Sequence, residues 1–251
     1  MGRSYQGRTM TLAVTDLSYD YGRQPVLKQV TLKLSAGFSV LLGPNGAGKS
    51  TLFSLLTGLY VSKQGEIAYG DLDLSEHPRA VRALLGVVFQ QSTLDLDLTV
   101  KQNLLYHACL HGLSASQALA NIEDILSDLK LAQRLHDRVR TLNGGHRRRL
   151  EIARALMHQP KYLLLDEPTV GLDNESRQLI ISHIRKLAQA RGICVVWTTH
   201  LMDEVSDEDN LIVLNRGEVK AQGNCSELCR THKADQVYQL YHMLTDSSEI
   251  L

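Results

Sequence analysis

One segment of this 251-residue chain constrains its fold more than any other: Gly43-Pro44-Asn45-Gly46-Ala47-Gly48-Lys49-Ser50-Thr51. It follows the short apolar run Ser39–Leu42 and precedes a helix-spaced series, Leu52, Leu55, Leu56 and Leu59, whose end Gly58 weakens. This is G-x-x-x-x-G-K-[ST] in the setting that gives the pattern meaning, strand before and helix after. Glycines let backbone N–H groups curl around a phosphate, and the helix start adds a partial positive charge. Lys49 reaches the β and γ oxygens of a triphosphate, and the Ser50 hydroxyl would hold Mg2+. The plain alternative is a Gly-rich turn that happens to precede Lys-Ser. Its fixed positions coincide by chance in only about one chain of this length in a hundred.

The remaining periodicities set the phosphate site in an α/β frame. Thr11–Val14 and Val30–Leu34 alternate apolar and polar residues as half-buried strands do, with turn chemistry at Tyr19–Gly22 between them. Val87–Phe89 reads as a buried strand ending at Gln90. From about Thr99 to Leu142 strand signals vanish and the apolar residues fall at helical spacing, which predicts a helical lobe. Helix continues over Arg147–Met157, a buried strand follows at Tyr162–Asp166, and an amphipathic helix at Ser176–Ala190. Strands at Cys194–Thr198 and Leu211–Leu214 flank a short helix at Leu201–Val205. Short apolar strands alternating with helices predict a mainly parallel sheet covered on both faces.

Two further segments carry chemistry. Tyr162-Leu163-Leu164-Leu165-Asp166-Glu167-Pro168-Thr169 puts two carboxylates at the C-terminal end of a buried strand, where α/β sheets bind ligands. Asp166 would reach Mg2+ and Glu167 would polarise the water that attacks the γ-phosphate. Leu142-Asn143-Gly144-Gly145-His146-Arg147-Arg148-Arg149 opens a helix ahead of them. Together these motifs resemble the nucleotide-binding subunit of ABC transporters, and the resemblance covers essentially residues 11–225.

That family's signature is usually Leu-Ser-Gly-Gly-Gln, so this chain departs from it at Asn143 and His146. An Asn amide still offers a donor where Ser offers a hydroxyl. The resemblance implies a P-loop NTPase fold with an antiparallel β subdomain and an inserted α-helical subdomain at about 91–157. A flexible N-terminus over 1–10 and a C-terminal helical extension over 226–251 would flank the cassette. It implies ATP and Mg2+ as cofactors, with Lys49, Gln90, Glu167 and His200 catalytic and Ser50, Gln90 and Asp166 around the metal. Tyr21 looks like the aromatic that stacks on adenine, Gln90 like the loop glutamine that senses the γ-phosphate, and His200 like the switch histidine. Val170-Gly171-Leu172-Asp173 is similar to the D-loop. Two such subunits close head to tail, so that residues 43–51 of one and Asn143, Gly144, Gly145 and His146 of the other sandwich each ATP. A second Gly-Gly helix start is a second anion cradle, too much for one triphosphate within one chain.

The residues after Gln90, Ser92–Leu104, and Thr199–Val205 resemble the export branch, which includes drug, sodium and polysaccharide exporters. The variant Leu142–Arg149 is similar to subunits associated with quinone-dependent alcohol oxidation in bacteria. The resemblance implies an ATPase that drives a separate membrane permease, pairs with a second ATP-binding subunit, and sits on the cytoplasmic face of the inner membrane. Other classes are a soluble ABC ATPase acting on ribosomes or DNA, and a small-molecule kinase. The first usually carries tandem cassettes or long coiled-coil insertions; the second leaves the signature and His200 without a role.

Composition agrees with a transporter subunit. Twenty-seven Lys/Arg against 27 Asp/Glu provide no net basic field, which argues against a nucleic-acid binder. No apolar stretch approaches the roughly 18 residues needed to cross a bilayer. Free thiols in a reducing compartment are expected for Cys109, Cys194, Cys225 and Cys229, since Met1–Met10 lacks the apolar core of a secretory signal. His107 and His111 stand one helical turn apart without the glutamate of H-E-x-x-H, and Cys225, Cys229 and His232 offer too few ligands for zinc. Neither group reads as a metal site. Arg147–Arg149 reads as a solvated or phosphate-facing helix start. His146, titrating beside a triphosphate, raises the question of pH sensing, against a plain replacement of one Gln hydrogen bond.

Overall fold

A computed structural model describes residues 10–22 and 24–245. The expected flexible N-terminus lies outside these residues apart from Met10, as do the last six positions of the C-terminal extension. The first strands, β1 (Thr11–Asp20) and β2 (Pro25–Ser35), pair antiparallel. In β2 Val30, Leu32 and Leu34 are buried while Thr31, Lys33 and Ser35 are exposed, the period-two pattern of a one-sided strand. β3 (Gly37–Leu42), α1 (Lys49–Leu56), β4 (Gln64–Tyr69) and β5 (Leu72–Asp73) follow. The antiparallel sheet has the order β2-β1-β4-β5.

After α2 (Pro78–Arg82) and β6 (Leu85–Val88) the helical lobe is built from α3 (Val100–Leu110), α4 (Ala115–Asn121) and α5 (Glu123–Asp128). Capping boxes start two of these helices, Thr99 with Gln102 and Ser114 with Gln117, so side chains satisfy donors that a helix end otherwise leaves open. The chain then returns through α6 (Gly144–Leu156), β7 (Tyr162–Asp166), α7 (Asn174–Arg191), β8 (Cys194–Thr199), β9 (Asn210–Asn215) and β10 (Glu218–Asn224). α8 (Cys225–Thr231) and α9 (Val237–Thr245) close it. The second sheet has the order β10-β9-β3-β8-β7-β6 and is parallel except for the edge strand β10.

Alternation along the central strands divides the core. Leu163, Leu165, Val195 and Trp197 face a cluster shared with the helical lobe, α6 and α7, whereas Tyr162, Leu164, Cys194 and Val196 face α1 and the antiparallel sheet. Trp197 is fully buried with its ring 5.5 Å from Phe38. The C-terminal helices join the first cluster through Cys225, Cys229, Leu240 and Tyr241. Burial pushes the Cys225 thiol up to about 12. No described helix is long and apolar enough to cross a membrane.

Three elements differ from their sequence-based expectation. β1 runs on through Tyr19 and Asp20, which the turn chemistry had placed outside it. α1 stops at Leu56 because Gly58 takes φ +70°, leaving Leu59 beyond the helix. Leu201–Val205 holds only a 3-10 turn, Met202–Glu204. β4, β5, α2 and β10 have no counterpart in the sequence reading. β10 is a polar edge strand, Glu-Val-Lys-Ala-Gln-Gly-Asn, with no buried residue to mark a period.

His107 and His111, at the end of α3, gather with His158 beyond α6: the His111 and His158 rings stack at 3.8 Å and His107 lies 4.9 Å from His111. Among the described residues no group of three or more His, Cys, Asp or Glu is arranged to hold a metal ion. Burial, then the charge of Arg154, holds His107 down to about 4. Burial, then His111, does the same for His158, also to about 4. The folded chain therefore binds these protons more weakly than the unfolded chain, whose imidazoles titrate near 6.5. Their stabilising contribution is complete above about pH 6.5 and is lost as pH falls toward 4. We predict that His158→Gln, whose amide can still donate to the Leu85 carbonyl, flattens the fall of Tm across that window. A variant whose Tm follows pH as wild type does would refute it.

Gly86 in β6 has a different constraint: a Cβ there would stand 2.5 Å from the Ala155 carbonyl oxygen and 2.9 Å from Pro160 Cγ. Gly86→Ala should cost about 1–3 kcal/mol in urea unfolding through forced displacement of β6 from α6.

Candidate functional site

The parallel strands β3, β6, β7 and β8 deliver their C-terminal ends to one edge of the sheet. There Leu42 leads into Gly43, Val88 into Phe89 and Gln90, Asp166 into Glu167, and Thr199 into His200. The loop from Gly43 to Gly48 is so closely built at its two ends that a side chain has no room there. A Cβ on Gly43 would collide with the Leu214 carbonyl oxygen, and one on Gly48 would stand 2.8 Å from Leu27 Cδ2. Gly46 and Gly48 also take φ +80° and +104°, where L side chains are disfavoured. Pro44 accepts the Ala47 N–H at 3.1 Å, and the Ala47 carbonyl accepts the Gly217 N–H from the β9–β10 turn at 2.9 Å. Asn45 and Ser50 are exposed. No side chain caps the N-terminus of α1, so its first N–H groups are not taken up by a side-chain cap.

Lys49, Asp166 and Glu167 are all buried at this edge. Lys49 Nζ donates to the carbonyls of Gly43 at 2.7 Å and Pro44 at 3.2 Å, and lies 3.7 Å from Glu167 Oε1. Burial lowers the Lys49 pKa, while the Glu167 and Asp166 carboxylates act in the opposite sense. His200 Nδ1 is 3.1 Å from Glu167 Oε1, and Gln90 Nε2 donates to Glu167 Oε2 at 3.1 Å. Three of the four predicted catalytic residues thus meet at the side chain of the fourth. Burial raises the Asp166 pKa against an opposing hydrogen bond, in which Thr198 Oγ1 donates to Asp166 Oδ1 at 2.6 Å. The same Thr198 oxygen accepts the Glu167 N–H at 2.9 Å. That contact helps hold Glu167 at φ +44°, a backbone conformation costing about 1–3 kcal/mol for a residue with a side chain.

On the other side of the phosphate loop, Tyr21 is 59% exposed and its hydroxyl pairs with Thr51 Oγ1 at 3.1 Å. Thr51 lies in the first turn of α1, directly after Ser50, so the predicted base-stacking residue is joined to the helix that opens at Lys49.

The signature segment forms a separate construction. Asn143 caps α6, its Oδ1 accepting the His146 N–H at 2.9 Å and facing His146 Nδ1 at 2.7 Å. Gly145 packs so tightly that a Cβ would stand 2.7 Å from Ser176 Oγ. Among the described residues no hydrogen bond or ion pair joins Asn143, Gly144, Gly145 or His146 to residues 43–51 or to Glu167.

The arginines that follow contradict their expected role as a solvated or phosphate-facing helix start. Arg148 and Arg149 are buried. Arg147 donates to the carbonyls of Val139 and Arg140, and Arg149 Nη2 to Ser176 Oγ at 3.1 Å. Arg148 donates to the carbonyls of Phe89 and Gln90, each at 2.7 Å, and pairs with Glu151 at 2.7 Å. Glu151 in turn accepts the Thr93 N–H at 3.0 Å, and Arg154 donates to the Thr93 carbonyl at 2.9 Å. The Gln90 loop is therefore strapped to α6 by Arg148, for which the sequence reading expected another role, and by Glu151 and Arg154, which it did not single out. Arg148 and Glu151 stand at i,i+3, the one pattern that pointed to them.

Behind Glu167 lies a second unforeseen residue, Glu204, 1% exposed. It accepts from the Thr169 hydroxyl and from Trp197 Nε1 at 2.9 Å, joining the segment after Glu167 to β8 and so to His200.

Comparison with known proteins bears on this arrangement directly. Residues 27–170 match the family described as ABC transporter. The chain is 34% identical over 231 residues to the linearmycin resistance ATP-binding protein LnrL of Bacillus subtilis (strain 168), covering 91% of this chain and 74% of that protein. It is 37% identical over 235 residues to the Nod factor export ATP-binding protein I of Rhizobium meliloti (strain 1021), covering 93% and 70%. A solved ATP-binding subunit of an ABC transporter superposes with a TM-score of 0.82 at 28% identity, covering 93% of this chain and 98% of that one. Clostridium perfringens cbiO1, part of the ABC transporter complex cbiONQ, superposes at 0.79 and 27% identity, covering 90% and 93%. With these motifs and this fold, the chain belongs to the ABC transporter family as an ATP-binding subunit, an ATPase coupled to transport.

Proposed function

We propose that this chain hydrolyses ATP to drive export through a separate membrane permease. The observation that carries the catalytic part is the convergence of Lys49, Gln90 and His200 on the buried Glu167 carboxylate. Glu167 is the base that polarises the attacking water, His200 contacts the γ-phosphate, and Lys49 turns from its own loop carbonyls to the β and γ oxygens. The residues fit a triphosphate. Gly46 and Gly48 hold backbone conformations that open the loop, and the α1 N-terminus carries no side-chain cap. Mg2+, held by Ser50, Gln90 and Asp166, would screen the phosphate charge. Tyr21 stacks on adenine, with Pro44, Asn45, Ala47 and Thr51 completing the nucleotide's bed.

Asn143, Gly144, Gly145 and His146 face the triphosphate held by a second copy, a reading supported by the absence, among the described residues, of any hydrogen bond or ion pair from them to their own phosphate loop. The pair is read as a homodimer, with residues 91–157 as a helical subdomain of the cassette at 11–225 and 226–251 as an extension. Export is supported by the names of the relatives, one a Nod factor exporter component and one a linearmycin resistance component. Work with a permease places the subunit on the cytoplasmic face of the membrane. A narrower kinship with subunits associated with quinone-dependent alcohol oxidation rests on Leu142–Arg149, and the relatives above carry other names.

Glu167→Gln should abolish turnover, retain ATP and trap a dimer visible by size-exclusion chromatography; wild-type-like turnover would remove Glu167 from the role of base. Lys49→Ala should lose nucleotide binding itself, as read by equilibrium titration.

His146 is held below its ordinary range by burial and then by Arg134 and Arg149. In the chain without nucleotide this favours the neutral imidazole at pH 7, and His146 is read as a hydrogen-bonding replacement for glutamine. The ATPase profiles of wild type and His146→Gln should superimpose in shape between about pH 7 and 9. Divergent shapes there would reinstate the sensor.

A further inference from the structure

Three tyrosines stand where stacking on a base needs one. Tyr19 ends β1, Tyr21 lies in the turn after it, and Tyr60 lies in the loop beyond α1. The Tyr19 and Tyr60 rings are parallel, at 4° with centroids 5.7 Å apart. Tyr21 stands edge-on to both, at 88° and 5.2 Å from Tyr19 and at 90° and 6.0 Å from Tyr60. These are favoured geometries for aromatic pairs. The Tyr21 phenol beside it also lifts the Tyr60 hydroxyl above the ordinary tyrosine range.

The turn at Tyr21 is held by the Gly22 N–H, which donates to Asp20 Oδ1 at 2.7 Å, and the ring itself is left to side-chain contacts. Gly22 follows at φ +90°, with nothing within 4 Å of where its Cβ would be. Tyr21 is largely exposed, so its orientation is set by Thr51, Tyr19 and Tyr60. Two of these three belong to α1 and its extension: Thr51 to the first turn, Tyr60 to the loop after Leu56. The helix whose N-terminus meets the phosphates therefore also supports the ring from its far end. Tyr60 in turn forms one wall of an apolar cavity of about 350 Å3 lined by Leu17, Leu55, Ile67 and Leu74. Truncating Tyr60 enlarges an existing space rather than opening a packed core.

We propose that Tyr60 is a positioning residue for nucleobase binding, holding the Tyr21 ring at a set place relative to the phosphate loop. The inference rests on Tyr21 being the base-stacking residue. Its physical content is preorganisation: a ring already fixed by edge contacts loses little freedom when a base stacks on it. Without Tyr60 that ordering falls on the binding step. Ordering one side chain of this kind corresponds to about a 2- to 10-fold loss of affinity.

The test measures binding of a non-hydrolysable ATP analogue and of tripolyphosphate, which has no base, to the full chain by calorimetry. Tyr60→Ala and Tyr60→Leu should weaken the analogue about 2- to 10-fold and leave tripolyphosphate unaffected, while Tyr60→Phe, which keeps the ring, stays within about twofold of wild type. Wild-type analogue affinity in the Ala and Leu variants, alongside a loss in Tyr21→Ala, would overturn the role of Tyr60 and leave that of Tyr21 intact. No loss in Tyr21→Ala would overturn the stacking reading, and the inference with it. Equal losses for both ligands would mean general damage to the phosphate loop and would also overturn it. Where Tyr60→Ala does not fold, Tyr60→Leu alone decides.

Discussion

The site depends on one buried carboxylate. Glu167 carries a charge out of water at the end of β7, which is tolerable only where donors meet it. Gln90 donates to it, His200 Nδ1 lies 3.1 Å from it and the Lys49 ammonium stands 3.7 Å away, and each arrives on a different strand end or helix start. The parallel register of β6, β7 and β8, with β3 beside β8, is what brings them to one place. The Glu167 backbone is part of the same arrangement. Its left-handed conformation aims the side chain across the strand ends, and Thr198 secures it by accepting its N–H while donating to Asp166. A single hydroxyl thus holds both the Asp166 carboxylate and the Glu167 backbone.

Around that centre charged side chains bonded to backbone groups, rather than backbone–backbone pairing, tie a loop to a helix. Arg148, Glu151 and Arg154 strap the stretch from Phe89 to Thr93 onto α6. Any displacement of α6 must therefore carry the Gln90 carbonyl with it or break several charge-assisted bonds, each roughly twice the strength of a neutral one. Glu204 plays a comparable part on the opposite flank, where Thr169 and Trp197 share its carboxylate. Gln90 is anchored by the first network, and the second joins Thr169, beyond Glu167, to Trp197 in β8, the strand that leads to His200. The geometry at Glu167 is in this sense imposed from outside it.

Much of this was legible in the sequence because the chemistry needs particular residue types at fixed spacing. Glycines at 43, 46 and 48, the lysine at 49 and the paired acids at 166 and 167 declare themselves, and continuous apolar runs such as Tyr162–Leu165 mark the central strands. Where side-chain alternation was weak, as in β10, or a strand very short, as in β5, periodicity carried no signal. The error over Arg148 and Arg149 has a clearer cause. Charge invites the assumption of solvent, and only the tertiary packing of α6 against β6 and α7 converts those guanidiniums into internal donors, Arg148 to backbone carbonyls and Arg149 to the Ser176 hydroxyl. Glu204 escaped notice for the same reason: a carboxylate in an acidic run gives no hint that Trp197 and Thr169 will enclose it.

The two helix starts that the sequence marked out as anion cradles differ in how their donors are spent. α1 begins at a glycine with no side-chain cap, and its lysine folds back onto the carbonyls of its own loop. α6 begins at Asn143, whose side chain already satisfies one N–H and pairs with His146. An oxygen used as a cap is not available to a ligand, so what Asn143 retains is its amide N–H2 pair. α1 has the donors to enclose a triphosphate on its own side, whereas α6 has the means to contribute a few contacts from outside. That asymmetry is what the proposed head-to-tail sandwich requires, one helix start holding the nucleotide and the other closing over it.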